Sequence, residues 1–105
     1  MRVVLVNGSP HEHGCTRRAL DEVASALAAD GIEPEFLSIG AAPVRGCIAC
    51  GTCSTLGRCV FDDKVNEFLD SALDADGFVF GTPVHYASAA GAITSFLDRA
   101  FYAAD

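Results

Sequence analysis

At 105 residues, half of them hydrophobic and with positive mean hydropathy, the chain offers at most one domain and is too apolar to be intrinsically disordered. Seven basic against fourteen acidic residues give a formal net charge of −7, which disfavours nucleic acid and anionic membranes as partners. No apolar run approaches the length of a membrane span, and the N-terminus opens into a strand without a signal-peptide layout, so a cytoplasmic protein is expected.

Val3, Val4, Leu5 and Val6 form a mostly β-branched run suited to a strand buried on both faces, as in a parallel sheet. Gly8, Ser9, Pro10 and Gly14 then mark a tight loop. Leu20, Val23, Ala24 and Leu27 follow at helical spacing, with Thr16 or Ser9 expected to accept bonds from the first free N–H groups. A strand, a small-residue loop and a helix N-terminus make an anion site, because unpaired N–H groups and the helix dipole both favour negative charge. The expected ligand is a phosphate monoester; the alternative is an ordinary strand-to-helix turn. Neither G-x-x-x-x-G-K-[ST] nor G-x-G-x-x-G is spelled here, and Asp21 stands where a Cys-x5-Arg phosphatase starting at Cys15 needs arginine.

Asp30-Gly31 is expected to stop the first helix, and Glu35 to Ile39 reads as a second strand that lies parallel to the first. Gly40 to Gly57 is read as a long loop, of the kind that usually carries function. Asp62-Asp63 can cap a helix whose apolar face is Val65, Phe68, Leu69, Ala72 and Leu73 and which stops near Asp76-Gly77. Phe78, Val79 and Phe80 form a third strand, and a last helix presents Ile93, Phe96, Leu97, Ala100 and Phe101 on one face. This alternation predicts an α/β fold with an open, doubly wound parallel sheet, whose ligands sit beyond the carboxyl ends of the strands. The loops starting at Gly8 and Gly81 are expected to converge on one crevice.

The spelling N-G-S-P-x-x-x-G-x-T from Asn7 to Thr16 resembles the phosphate loop of the flavodoxin-like NAD(P)H-dependent FMN reductases. So does Gly81-Thr82-Pro83-Val84-His85-Tyr86-Ala87-Ser88 with its downstream Phe96-Leu97-Asp98-Arg99, similar to that family's G-[ST]-P-x-x-x-x-S segment and F-[LIM]-D-R helix. The resemblance implies bound FMN, with its phosphate held at Ser9, Pro10, Gly14, Cys15 and Thr16. It places the ring and ribityl chain against Thr82, Pro83, Val84, His85, Tyr86 and Ser88. Pro83 would stiffen the turn, and His85 or Tyr86 could lie against the isoalloxazine, unless they are simply an exposed polar residue and a loop aromatic. Cys15 stands where the family usually has Asn, and a thiol at a helix N-terminus tends toward reactivity. His11 and His13 stand where the family often has Arg or Lys. Asp98 and Arg99 are expected to pair with each other or to cap neighbouring backbone. A complete flavodoxin-like sheet needs two further strands after Phe101, so residues 1–105 are expected to be the N-terminal portion of a longer member, or a subunit whose open edge a partner covers.

Five cysteines, an odd number, argue against a disulfide scaffold. Cys47, Cys50, Cys53 and Cys59 read C-x2-C-x2-C-x5-C, set among glycines in the segment 46–59, a spacing that lets thiolates converge on one inorganic core. A zinc ion and reduced structural thiols are the alternatives. The segment is similar to the compact cysteine motif of iron–sulfur flavoproteins, which implies a 4Fe-4S cluster. The implied activity is transfer of electrons from NAD(P)H through FMN to a quinone, a metal, a flavin or a protein; the second reading is an electron-transfer protein fed by a ferredoxin. The flavin carries the chemistry, and no catalytic acid or base is assigned. Homo-oligomers with the flavin near an interface are a further implication of the resemblance.

Overall fold

The chain alternates β1 (Arg2–Asn7), α1 (Cys15–Ala29), β2 (Glu33–Ser38), α2 (Cys53–Leu56), α3 (Lys64–Ala72), β3 (Gly77–Gly81), a hairpin of β4 (Val84–His85) and β5 (Ser88–Ala89), and α4 (Gly91–Ala104). The computed structural model describes residues 1–104 and assembles the three long strands into a parallel sheet of order β2-β1-β3. Strand β1 therefore lies at the centre, where its unbroken apolar run is needed: Val4, Leu5 and Val6 are completely buried. Alternation along the strand separates two cores. Val4 and Val6 pack with Leu37, Val65, Phe68, Ile93 and Phe96, on the side of α3 and α4, while Leu5 packs with Leu20 and Ala24 of α1. Each such side chain contributes about 1.5–3 kcal/mol on burial, which holds helices on both faces of the sheet. The result is the flavodoxin-like α/β arrangement that the sequence predicts.

Several boundaries differ from the expected ones for local reasons. Strand β2 starts earlier and admits Pro34, opposite Val3, because among the described residues it is an edge strand whose outer side has no ladder bond to lose. The long connection is not wholly loop: Cys53–Leu56 forms a single helical turn closed by Gly57 at φ 78°. The segment after β3 folds back as the β4–β5 hairpin instead of remaining a loop. Leu73 and Phe101, expected on apolar faces, are exposed; α3 ends at Ala72, and Phe101 turns its ring edge-on to Phe80 at the margin of the core.

Register sets where the loops emerge. Asn7 pairs level with Ser38 on one side and Gly81 on the other, so the three strands end at one height and release their loops from one rim. The adjacent strands β1 and β3 flank the crevice in which open α/β sheets bind ligands.

Candidate functional site

The first loop is shaped from within. Buried Asn7 accepts a bond from the Ser9 N–H at 3.0 Å and donates to the Glu12 carbonyl at 3.4 Å. Ser9, also buried, accepts from the His11 N–H at 3.0 Å. These short-range bonds turn the backbone sharply without regular structure. Neither Ser9 nor Thr16 caps α1 as expected: the N-cap is Gly14, in extended conformation and with no side-chain cap bond, and Thr16 lies in the first turn. The N–H groups of that turn consequently remain for a ligand, which is the electrostatic requirement of an anion site. Pro10, His11, His13 and Cys15 are exposed around this helix end, and Gly14 and Thr16 are half-buried.

The second loop is fastened to the first. The Gly8 N–H donates to the Gly81 carbonyl at 2.8 Å, and a Cβ on Gly8 would lie 2.8 Å from that same oxygen and 2.9 Å from Cβ of Ile93. A Cβ on Gly81 would meet Cγ2 of Thr16 at 2.9 Å. Both glycines are thus required by the closeness of the two loops, and their spelling in the sequence reflects packing as well as turn geometry. Beyond Gly81, the Thr82 hydroxyl accepts from the Ala90 N–H at 3.1 Å and donates to the Pro83 carbonyl at 2.9 Å, closing the base of the hairpin. Val84, His85, Tyr86 and Ser88 stand exposed on that hairpin, and Tyr86 is fully open to solvent. Tyr86 and Ala87 occupy its tip with φ of 50° and 62°, the left-handed pattern of a two-residue type I′ connection. The structure therefore brings together the bases of the two predicted loops, with Gly81 packed against Thr16 in the first turn of α1.

The cysteines form a second locality. Cys47, Cys50, Cys53 and Cys59 line one cavity with Phe61 and Arg99, enclosing about 20 Å³, room for roughly one water molecule. All four are free thiols. Among the described residues no three of them close on a single point, which one tetrahedral ion requires and a polynuclear core, with a separate metal for each thiolate, does not. The donor set fits such a core chemically, and a larger occupant needs the stretch from Cys47 to Gly57 to move outward. Apart from the Cys53 thiol on the Tyr102 carbonyl at 3.8 Å, the hydrogen bonds of that stretch among the described residues are local, so few of them oppose such a movement. Hydrogen bonds from the Thr52 side chain, and then from its backbone, hold the exposed Cys50 thiol below its ordinary pKa. Ala49, at φ 56°, donates its N–H to the Cys47 sulfur at 3.3 Å.

Two buried polar residues support this locality: Asn66, which sequence reasoning missed, and Arg99, whose partner it misjudged. Arg99 does not pair with Asp98; it is 2% exposed, holds the Asp63 carboxylate through two bonds of 2.8 and 2.9 Å, and donates to the backbone carbonyls of Arg45 and Phe61. Burial works against its charge, yet the bond to Asp63, the bond to Cys59 and the charges of both outweigh it and raise its pKa above the usual guanidinium value. Asp63 caps α3 as expected, accepting from the Val65 N–H at 3.1 Å. Asp62 instead bonds Asn66 and Arg58, which in that order hold its carboxyl below the ordinary range. The available signal for Arg99 is its place on the buried stripe of α4 with Ile93, Phe96, Ala100 and Ala103: a cation on an apolar face needs a partner from elsewhere.

The rim of this sheet is the ligand end of a flavodoxin-like protein, and the whole of residues 1–105 matches the family model for NADPH-dependent FMN reductase; the chain belongs to that family. It is 34% identical over 99 residues to an iron–sulfur flavoprotein of Methanocaldococcus jannaschii, covering 94% of this chain and 51% of that protein. It is 30% identical over 99 residues to an iron–sulfur flavoprotein of Archaeoglobus fulgidus, covering 94% and 45%. A third such protein, from Clostridioides difficile, is 28% identical over 103 residues, covering 95% and 46%. The chain spans about half the length of these curated relatives.

Proposed function

We propose that the chain binds FMN across the two fastened loops and serves as an oxidoreductase, taking electrons from NAD(P)H and passing them to a quinone, a metal, a free flavin or a protein. The observation that carries this reading is the bond from Gly8 to Gly81, which ties the loops after β1 and β3 into one floor beside an uncapped helix N-terminus. Backbone N–H groups from Gly14 to Thr16 would hold the phosphate, with Ser9 and Pro10 fixing the loop's path. The ring would lie against Pro83, Val84, His85 and Tyr86, with Thr82 and Ser88 shaping the hairpin behind it. Bound there, the flavin supplies the hydride and electron chemistry; the chain binds and orients it. The reducing cytoplasm suits five free thiols. Family membership supports this reading.

A second reading is favoured by the four thiols around one cavity and by the names of the relatives. Here Cys47, Cys50, Cys53 and Cys59 hold a 4Fe-4S cluster that supplies single-electron transfer, and a ferredoxin is the donor. One experiment tests the first reading and separates it from the second. Purified protein is titrated with FMN while flavin fluorescence is followed, and NADH or NADPH is then added anaerobically. Quenching followed by bleaching supports the reductase; quenching without bleaching favours the electron-transfer protein. No quenching overturns both.

A further inference from the structure

Cys59 is held quite differently from the other thiols of its group. Cys47, Cys50 and Cys53 belong to a stretch with few ties to the rest of the fold, whereas Cys59 is seated by two residues of the core. Asn66 of α3, 1% exposed, grips its backbone from both sides: its Oδ1 accepts from the Cys59 N–H and its Nδ2 donates to the Cys59 carbonyl, each at 2.9 Å. From α4, Nε of Arg99 donates to the Cys59 sulfur at 3.3 Å.

The remaining donors of Arg99 are committed to both ends of the cysteine segment. They reach the Arg45 carbonyl at 3.2 Å before it, and the Phe61 carbonyl at 2.9 Å and the Asp63 carboxylate after it. A planar guanidinium so fixed cannot rotate away from the sulfur. Among the described residues the Asp63 carboxylate is its ion-pair partner, and the Cys59 sulfur accepts from it alongside the two carbonyls.

We propose that Arg99 is a positioning residue for Cys59: it fixes this sulfur as the preformed corner of the thiol site and raises the reduction potential of the one-electron centre held there. The inference rests on the assignment of a cluster to the four cysteines. A cationic N–H donor on a ligand sulfur stabilises the more negative, reduced state, so its removal makes reduction harder. Asp63, by partly neutralising Arg99, acts in the opposite sense.

The test uses the full chain, loaded anaerobically with equal amounts of ferric and ferrous iron and with sulfide, and reads iron per chain, the visible spectrum and the midpoint potential. Arg99→Gln is expected to load and to shift the midpoint downward. Arg99→Lys keeps a cation beside Asp63 but cannot repeat the planar contact with sulfur, and a smaller downward shift is expected. Asp63→Asn preserves the helix cap and is expected to shift the midpoint upward. Opposite signs at positions 99 and 63 distinguish tuning from a general loosening of the fold, which would move both variants the same way. Should either Arg99 variant fail to fold, the other and Asp63→Asn carry the test. A wild-type midpoint in the variants that fold, or shifts of the same sign, overturns the role of Arg99. Failure of the wild-type chain to take up iron and sulfide overturns the cluster assignment, and this inference with it.

Discussion

A methyl group is enough to probe the floor of the candidate site. At Gly8 it would collide with the Gly81 carbonyl, which is backbone and already accepts the Gly8 N–H; at Gly81 it would press on Thr16 Cγ2 and the end of Leu20, which are side chains with some freedom to give. Gly8→Ala is therefore expected to cost about 1–3 kcal/mol of stability, the usual range for overpacking, with Gly81→Ala costing less. Gly8→Ala should also weaken FMN binding, because spreading the loops displaces the α1 terminus from the hairpin. Urea denaturation and FMN titration check both, and the reverse ranking would contradict a floor built on the Gly8–Gly81 contact. The glycines are legible in the sequence because a loop that approaches another backbone needs them locally. Arg99 and Asn66 are not, since the groups they satisfy lie on other elements: Arg99 is 36 residues from Asp63, and Asn66 is 7 from Cys59. Helical periodicity marks such a residue as out of place without saying what it meets.

The small elements are the ones periodicity cannot find. A four-residue helix and two-residue strands are too short to show a hydrophobic repeat, so the sequence of α2 and of the β4–β5 hairpin reads as loop. The hairpin is also spelled against its turn type, which prefers Asn-Gly where this chain has Tyr86-Ala87. Left-handed backbone costs about 1–2 kcal/mol at an ordinary residue. Ala87→Gly is accordingly expected to stabilise the protein by about 1 kcal/mol and to leave FMN affinity unchanged. Tyr86→Gly should relieve similar strain but lower FMN affinity, because it removes the exposed ring from the hairpin. Chemical denaturation with parallel FMN titrations measures the pair. Equal affinities in the two variants would remove Tyr86 from the proposed ring contact. The long elements are legible apart from their ends, where β2 starts at Glu33 and Leu73 and Phe101 are exposed, because each repeats its apolar signal over several turns or residues.

The centre of the sheet is well covered and, among the described residues, one flank is open. Among the described residues β3 is bonded to β1 alone, and beside it Phe78 and Phe101 are exposed around an aromatic cluster that includes Phe68, Phe80 and Phe96. An unpaired edge next to apolar surface favours association, and a net charge of −7 opposes it. Residues 1–105 are therefore expected to sediment with a concentration-dependent mass that rises with added salt, as the repulsion is screened. A constant monomer mass at low and high salt would contradict this. Strand order and the rim that gathers the loops follow from the alternation of elements; which thiol is anchored, and by what, does not. That anchor also fixes an order of events during synthesis. Cys59 leaves the ribosome 40 residues ahead of Arg99, so every nascent chain carries the thiol for a time without its guanidinium neighbour, and the seat is complete only when α4 has been translated.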